Sequence, residues 1–410
     1  MAHVPVGLPE SVPAGRTGRL RRVPPAVTPI RPRDLVAGAA AHLGNRGLDS
    51  FRTEIRTFLD AASVGSYTSF RRALAACLRE LSRNGEGETV LVPAFCSADY
   101  SDAIEGVGLE MVRYDIDPET LAAPPATFDG LPEDVLAVVV VNVLGYSSEM
   151  EAIVARCDES ETFLVEALGY GIGGNYEGTR LGKFGDCSVL NFQQGKPIPV
   201  GGGMVVSQRP SLVFGDTGRK PVGPNVGMLG GYAVCAHPTM YGVYDRVGKP
   251  IIDRIGGVER VNTHPESKVD VQYRPPYRTM SNFQGAVGSK VLERLPHHRR
   301  KRAQTAQFYR EALGETTGIS HVEPVAGLSN HQWVRYPLLF DSGQLREEVR
   351  ATLSDHGIEA TLLYDWPPLD STQFPGARRV QQRILTLPTH PYVDSADREH
   401  IVRLIRDAST

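Results

Sequence analysis

The feature that most constrains the fold is a series of short, almost wholly apolar segments separated by stretches of helical spacing. The longest, residues 135–143 (VLAVVVVNV), does not alternate between apolar and polar positions, so both of its faces must be covered. Similar runs are residues 89–93, 162–165, 187–192 and 203–207. Helical spacing falls between several of them, as in residues 70–81. This alternation predicts an α/β fold whose mostly parallel sheet carries helices on both faces.

The length of the chain predicts more than one domain, because 410 residues exceed what one hydrophobic core usually organises. We expect an N-terminal arm over residues 1–49, a large α/β domain over 50–275 and a smaller C-terminal α+β domain over 276–410. In the last of these, helical spacing runs through residues 283–313, where Pro296 should break or kink the helix. A strand over 333–340 and helices over 344–356 and 395–407 complete the smaller domain.

The composition excludes several classes of partner. A net charge of -3 gives no reason to expect nucleic acid or an anionic membrane as a ligand. The five cysteines are scattered without a CxxC pair, which argues against a disulfide framework or a zinc site. The sequence has no signal-peptide pattern and no apolar run long enough to span a membrane, so we expect a cytoplasmic protein that holds no metal ion.

Lys196 is the residue whose setting says most about chemistry. It is the only lysine between an apolar run that ends near Phe192 and the glycine triplet at residues 201–203, and another apolar run follows. This pattern presents one amine on a short turn between two buried strands. Such an amine is a candidate Schiff-base nucleophile for a carbonyl cofactor or substrate. The residues alone leave equal room for a surface loop lysine.

Two further groups are expected at strand or helix ends. Glu166 follows the apolar run 162–165, where a carboxylate would either face a ligand or cap a loop. Ser66, Tyr67 and Thr68 precede the helical segment 70–81, so their hydroxyl and N–H groups form either an anion cradle or an ordinary helix N-cap. Asp186 and His390 are more typical of a turn and of loop packing than of catalysis.

Six segments, taken in order, resemble motifs of the DegT-like sugar aminotransferases, which are fold-type-I enzymes that use pyridoxal 5'-phosphate (PLP). Each motif is weak alone, but six in register from about residue 50 to 407 make the resemblance specific. The segments are 92–95 with 114–117, 141–146, 176–186, 190–203, 280–284 and 387–391.

The resemblance implies a sheet of the seven-stranded type and a PLP-dependent aminotransferase in which Lys196 forms the internal aldimine. The amino group would pass from glutamate or a similar donor to a keto-sugar or another small carbonyl metabolite, within a homodimer. The resemblance also implies the residues that contact the cofactor. They are Ser66, Tyr67, Thr68, Asn191 and Arg278 toward the phosphate, and Tyr100, Glu166 and Tyr170 around the ring.

One departure from the family pattern bears on the reaction. The family places an aspartate against the PLP ring nitrogen, and Ala167 stands at that position, with only Glu166 beside it. A carboxylate there keeps the ring protonated and electron-withdrawing. Two alternatives therefore stay open: a PLP enzyme of non-transaminating type (elimination, aldol-type or decarboxylative), or a degenerate, non-catalytic binding protein of the same fold. The sequence does not identify the substrate, but the resemblance implies a pocket built from variable loops, here residues 211–275 and the aromatic loop 364–368. Arg219, Lys220 and Arg278 are candidates for binding a diphosphate there.

Overall fold

The central feature of the molecule is a seven-stranded sheet. A computed structural model of the chain describes residues 21–215, 225–248, 278–364 and 368–409. The strands of this sheet are β1 (Ser63–Tyr67), β2 (Thr89–Pro93), β3 (Glu110–Tyr114), β4 (Val135–Val141), β5 (Phe163–Ala167), β8 (Cys187–Asn191) and β9 (Gly203–Ser207). Their order in the sheet is β1-β9-β8-β5-β4-β2-β3.

The sheet is mostly parallel, as the apolar runs predict. The strands from β3 across to β8 pair in parallel, while β9 is antiparallel to both β8 and β1. The carboxyl ends of β4, β5 and β8 therefore lie at one edge of the sheet. This is the edge at which parallel α/β folds bind ligands. The α/β fold with helices around a mostly parallel sheet is confirmed.

Helices cover both faces of the sheet, because alternate strand residues point to opposite sides. One face packs against α3 (Phe70–Asn84) and α4 (Asp99–Glu105) in a single hydrophobic cluster. The other face packs against α2 (Gly47–Leu59), α5 (Met150–Glu159) and α8 (Asn282–Glu293). Helix α1 (Pro32–Leu43) lies on α8, and it falls within the segment predicted to be an N-terminal arm. Helices α6 (Val226–Cys235) and α7 (Pro238–Val243) come between β9 and α8 in the chain.

The C-terminal part of the chain builds a second, smaller sheet. Its antiparallel strands are β10 (Ile319–His321), β12 (Arg335–Phe340) and β13 (Ile384–Pro388). Around it lie α9 (Leu295–Leu313), α10 (Gly343–Asp355), α11 (Pro375–Arg383) and α12 (Ser395–Ala408). A third sheet joins β11 (Leu328–Ser329) to the short hairpin of β6 (Asn175–Tyr176) and β7 (Thr179–Arg180).

Several predicted elements change in detail. Pro296 does break the predicted helix, since α8 ends at Glu293 and α9 begins at Leu295. Strand β5 extends to Ala167, so Glu166 lies inside this strand. The sequence analysis had placed Glu166 after the end of the strand, and that prediction is wrong. Strands β1 and β13 were not predicted as strands. Within the described part of the chain, no helix is long and apolar enough to cross a membrane.

Candidate active site

Lys196 lies on the turn between β8 and β9, at the carboxyl edge of the sheet. The residue is half-buried, and its Nζ is 3.4 Å from the centroid of the Tyr170 ring. Its backbone oxygen accepts a hydrogen bond of 3.0 Å from the hydroxyl of Thr28. Thr28 of the N-terminal segment thus holds the backbone of the turn, while the amine of Lys196 faces the ring of Tyr170.

The surroundings of Lys196 lower the pKa of its amine. Burial lowers the pKa of the Lys196 amine, and the charge of Arg335 lowers it further, against the opposing effects of Tyr170 and Asp99. The pKa of Tyr170 is also lowered: burial alone would raise it, but the charges of Lys196 and Arg335 outweigh that effect. An amine with a lowered pKa beside a phenol with a lowered pKa is suited to proton exchange.

Asn191 and Gly169 border the same space. A Cβ added at Gly169 would lie 3.5 Å from Lys196 Nζ and 3.7 Å from Asn191 Cβ. Asn191 ends β8, and its amide oxygen accepts a hydrogen bond of 2.9 Å from the backbone N–H of Gln193. The structure therefore brings together three of the residues predicted from sequence: Lys196, Tyr170 and Asn191.

Tyr100 lies in the hydrophobic cluster on the α3 side of the sheet. It is 5% exposed, and its ring meets that of Phe70 edge-on at 5.2 Å between centroids. Burial raises the pKa of its hydroxyl. The neighbouring residue Asp99 forms an ion pair of 2.6 Å with Arg71. The negative charge of Asp99 also acts on Lys196, whose pKa it raises against the effect of burial. Tyr100 is therefore placed by packing, and Asp99, the first residue of the same helix, lies within electrostatic reach of Lys196.

Glu166 is committed to a neighbouring loop. Its carboxylate accepts three backbone hydrogen bonds, from Gly182 at 2.8 Å, Phe184 at 2.7 Å and Gly185 at 2.9 Å. The residue is fully buried, and burial raises its pKa against the effect of these hydrogen bonds. Ala167, the next residue, points to the opposite face and packs in the cluster that contains Tyr100. Glu166 thus holds the loop of residues 182–185 in place. At the position where the resemblance implies an aspartate, Ala167 presents only a methyl group.

The segment before α3 combines a strand end with a helix cap. Ser66 and Tyr67 are the last residues of β1 and are buried, and the hydroxyl of Ser66 meets that of Thr279. The Thr68 hydroxyl accepts a hydrogen bond of 2.7 Å from Arg72, while Ser69 caps α3. Hydroxyl groups and a helix N-terminus are consistent with anion binding. Arg278 is exposed, and it is its neighbour Thr279 that reaches Ser66.

Two residues at the site were missed by the sequence analysis. Asn142 directly follows β4 and is 1% exposed, and neither atom of its amide group has a hydrogen-bond partner among the described residues. Arg335 begins β12 and is 6% exposed. Both carried a signal in the sequence: a polar residue at the carboxyl end of a long apolar strand, and an arginine inside an apolar run.

The remaining candidates have structural roles. Asp186 accepts a hydrogen bond of 2.7 Å from the backbone of Leu164, and His390 is hydrogen-bonded to the Pro24 carbonyl at 2.8 Å. No group of three or more histidine, cysteine or acidic side chains is arranged to hold a metal ion in the described residues. The substrate-loop candidates Arg219, Lys220 and Trp366 lie outside the described residues.

Comparison with known proteins identifies similar aminotransferases. The chain is 24% identical over 339 residues to a dTDP-4-dehydro-2,3,6-trideoxy-D-glucose 4-aminotransferase of Saccharopolyspora spinosa, covering 79% of this chain and 77% of that one. It is 27% identical over 318 residues to a putative pyridoxal phosphate-dependent aminotransferase, EpsN, of Bacillus subtilis, covering 75% and 70%. The crystal structure of the aminotransferase TlmJ from Streptoalloteichus hindustanus superposes with a TM-score of 0.73 at 21% identity, covering 94% and 98%.

The family match spans most of the chain and includes the turn that carries Lys196. The DegT/DnrJ/EryC1/StrS aminotransferase family matches residues 35–214 and 267–406. Both matched segments contribute to the site, the first through Tyr170 and Lys196 and the second through Thr279 and Arg335. The chain therefore belongs to the DegT/DnrJ/EryC1/StrS aminotransferase family and is an enzyme of the aminotransferase class.

Proposed function

We propose that this enzyme transfers an amino group to a keto-sugar or another small carbonyl metabolite, with Lys196 binding PLP covalently. The observation that carries the proposal is the amine of Lys196, whose pKa is lowered by burial and which faces Tyr170 at the carboxyl edge of the sheet. The keto-sugar is proposed because the relative from Saccharopolyspora spinosa is named for such a substrate.

The residues around Lys196 fit PLP in most respects. The hydroxyl groups of Ser66 and Thr68, together with the N-terminus of α3, suit its phosphate. The amide of Asn142 is buried and has no hydrogen-bond partner among the described residues, which is consistent with a polar ligand at this position. When bound, PLP supplies an aldehyde for attachment to the lysine and a ring that withdraws electrons from the bound amine.

Each side chain then has a specific task. Lys196 would hold PLP through its Nζ, and the same amine would take up and give back a proton as a general base and acid. The Tyr170 ring lies against that amine and limits its position, and its hydroxyl can supply a proton because its pKa is lowered. Tyr67, Asn191 and Arg278 are proposed to assist at the phosphate, and Tyr100 to support the ring. Glu166 is proposed to act indirectly, by holding the 182–185 loop.

The proposal is tested by the visible absorption of the protein purified with PLP. Wild type should show the absorption band of covalently bound cofactor, and Lys196→Ala should lose it. Lys183→Ala is the matched control, because Lys183 pairs with Asp60 on the surface. A band that survives in Lys196→Ala, or that disappears equally in the control, would refute the assignment of Lys196.

A second candidate function is a PLP reaction other than transamination. The packed methyl group of Ala167 favours it, since this position offers the ring nitrogen no carboxylate. Addition of glutamate separates the two functions. Conversion of the band to that of pyridoxamine phosphate supports transamination, and an unchanged band supports elimination, aldol-type or decarboxylative chemistry. A homodimer is also proposed, and sedimentation would test it.

A further inference from the structure

Helix α6 belongs to a part of the chain that the family match leaves out, since the two matched ranges leave residues 215–266 between them. This helix nevertheless lies against the turn that carries Lys196. A Cβ added at Gly201, toward the end of that turn, would be 3.0 Å from Cε of Met228. α6 is therefore a feature outside the family match that adjoins the candidate site.

Tyr232 lies one turn further along the same side of α6 and connects the helix to the other end of the turn. Its hydroxyl accepts a hydrogen bond of 3.1 Å from the backbone N–H of Thr28. The backbone N–H of Gly195 also acts as a donor to this oxygen and lowers the pKa of the phenol against the larger effect of burial. Because Gly195 directly precedes Lys196, the phenol oxygen lies beside the backbone of the lysine.

Thr28 extends this contact to Lys196 itself. Its N–H is held by Tyr232, and its hydroxyl donates a hydrogen bond of 3.0 Å to the backbone oxygen of Lys196. The buried guanidinium of Arg302, on α9, donates to the Thr28 hydroxyl and, at 3.1 Å, to the carbonyl of Val27. Two hydrogen bonds therefore lead from α6 to the lysine, and α9 fixes the residue that they share.

The turn needs this support because its own backbone is not stiff. Gly195 has a φ of +78, which glycine adopts readily, but glycine is equally free to adopt other conformations. The titratable groups that act on the buried amine of Lys196 are Tyr170, Arg335 and Asp99. A turn that moved away from them would expose the amine to water and remove the effect of burial on its pKa.

We propose that Tyr232 is a positioning residue for Lys196, which acts through Thr28 and keeps the amine where it meets the carbonyl group of its cofactor. The inference rests on the proposed function, in which Lys196 binds PLP. It gives a role in the reaction to a helix outside the family match. Tyr232 does not act by charge, since burial raises its pKa to about 12 and the hydroxyl is neutral near pH 7.

The first test measures the pH dependence of Lys196 acetylation by acetic anhydride in the whole chain without PLP. Only the neutral amine reacts, and mass spectrometry of the digested protein gives the pH of half-maximal labelling. This midpoint should rise in Tyr232→Phe and in Thr28→Val, because a hydrated amine regains its usual pKa. Neither change removes a charge. Lys290, which pairs with Glu293 on the surface, is the reference in each digest and should keep its midpoint.

Three further variants separate positioning from packing. Thr28→Ser keeps the hydroxyl and should retain the wild-type midpoint. Tyr241→Phe removes a hydroxyl from α7, in the same unmatched segment, and should also leave the midpoint unchanged. The double variant of Tyr232→Phe and Thr28→Val should shift the midpoint no further than the larger of the two single changes, because both interrupt the same path.

The second test follows the appearance of the cofactor absorption band after PLP is added. Tyr232→Phe should lower the maximal rate of attachment roughly 10-fold and leave the PLP concentration at half-maximal rate within about twofold of wild type, because only the amine is misplaced. An unchanged labelling midpoint and attachment rate in both Tyr232→Phe and Thr28→Val would overturn the proposal. If wild type forms no band, the proposed function fails, and the labelling midpoint still decides the role of Tyr232.

Discussion

Replacing Glu166 by glutamine separates its two candidate roles, as a partner of the cofactor ring and as the residue that holds a loop. In wild type Oε1 accepts hydrogen bonds from Phe184 and Gly185, and Oε2 accepts one from Gly182. Glutamine retains one carbonyl oxygen, so the bonds to Phe184 and Gly185 can remain. Its NH₂ group would then face the N–H of Gly182, which loses its acceptor.

The cost follows from that single unpaired donor. A buried N–H group left without an acceptor costs about 1–3 kcal/mol, and removing a buried charge offsets part of this, since burial raises the pKa of Glu166. We expect a net loss of about 1–2 kcal/mol in the local stability of the loop. Opening of the loop should then be about 5- to 30-fold more frequent.

Hydrogen exchange followed by mass spectrometry measures this opening directly in the peptide that covers residues 182–185. Faster exchange in Glu166→Gln with an unchanged cofactor absorption band supports the loop-holding role. Glu399→Gln, an exposed change on α12, is the control and should leave exchange unaltered. Unchanged exchange combined with an altered cofactor band would refute the reasoning and assign Glu166 to the ring.

Two further predictions concern the turn after Lys196 and the response to acid. Gly202→Ala should lower the free energy of unfolding by about 1–3 kcal/mol more than Gly108→Ala does. Both glycines have a φ of +86, but only at Gly202 would an added Cβ lie 2.6 Å from Met280. Equal losses of unfolding free energy in the two variants, measured by chemical denaturation, would contradict this. Burial lowers the pKa of His390 to about 3, so stability present above pH 6.5 should fall by up to about 1.4 kcal/mol per pH unit toward pH 3. His390→Gln should flatten this slope and exposed His297→Gln should not, and identical slopes would contradict the assignment.

The strands of the large sheet were predictable where their apolar runs are continuous. Val135–Val141 and Gly203–Ser207 are buried on both faces, and nothing in their sequences competes with a strand. Strand β1 was missed because its sequence, SVGSY, is short, polar and interrupted by glycine. It is stabilised by antiparallel pairing with β9, a long-range contact that local pattern does not reveal.

The candidate site was only partly predictable for a related reason. Lys196 and Asn191 are near in sequence, and Tyr170 follows the neighbouring strand, so the parallel-sheet rule brings them together. Arg335 reaches the site from the second sheet, more than a hundred residues further along the chain. The orientation of Glu166 also depended on one detail, the end of β5, because moving a strand boundary by two residues changes whether the carboxylate is free at a loop or fixed inside the sheet.

That boundary also bears on the chemistry at Ala167. Successive residues of β5 point to opposite faces, and Glu166 is held on its face by three backbone N–H groups. It would have to release all three to replace an aspartate at position 167, leaving buried donors unpaired. Glu166 and Ala167 are therefore not interchangeable. An enzyme that transaminates with this sequence must therefore balance the charge of the ring through other groups. Lys196 and Tyr170, whose pKa values are both lowered, are the groups at the candidate site that we expect to take this part.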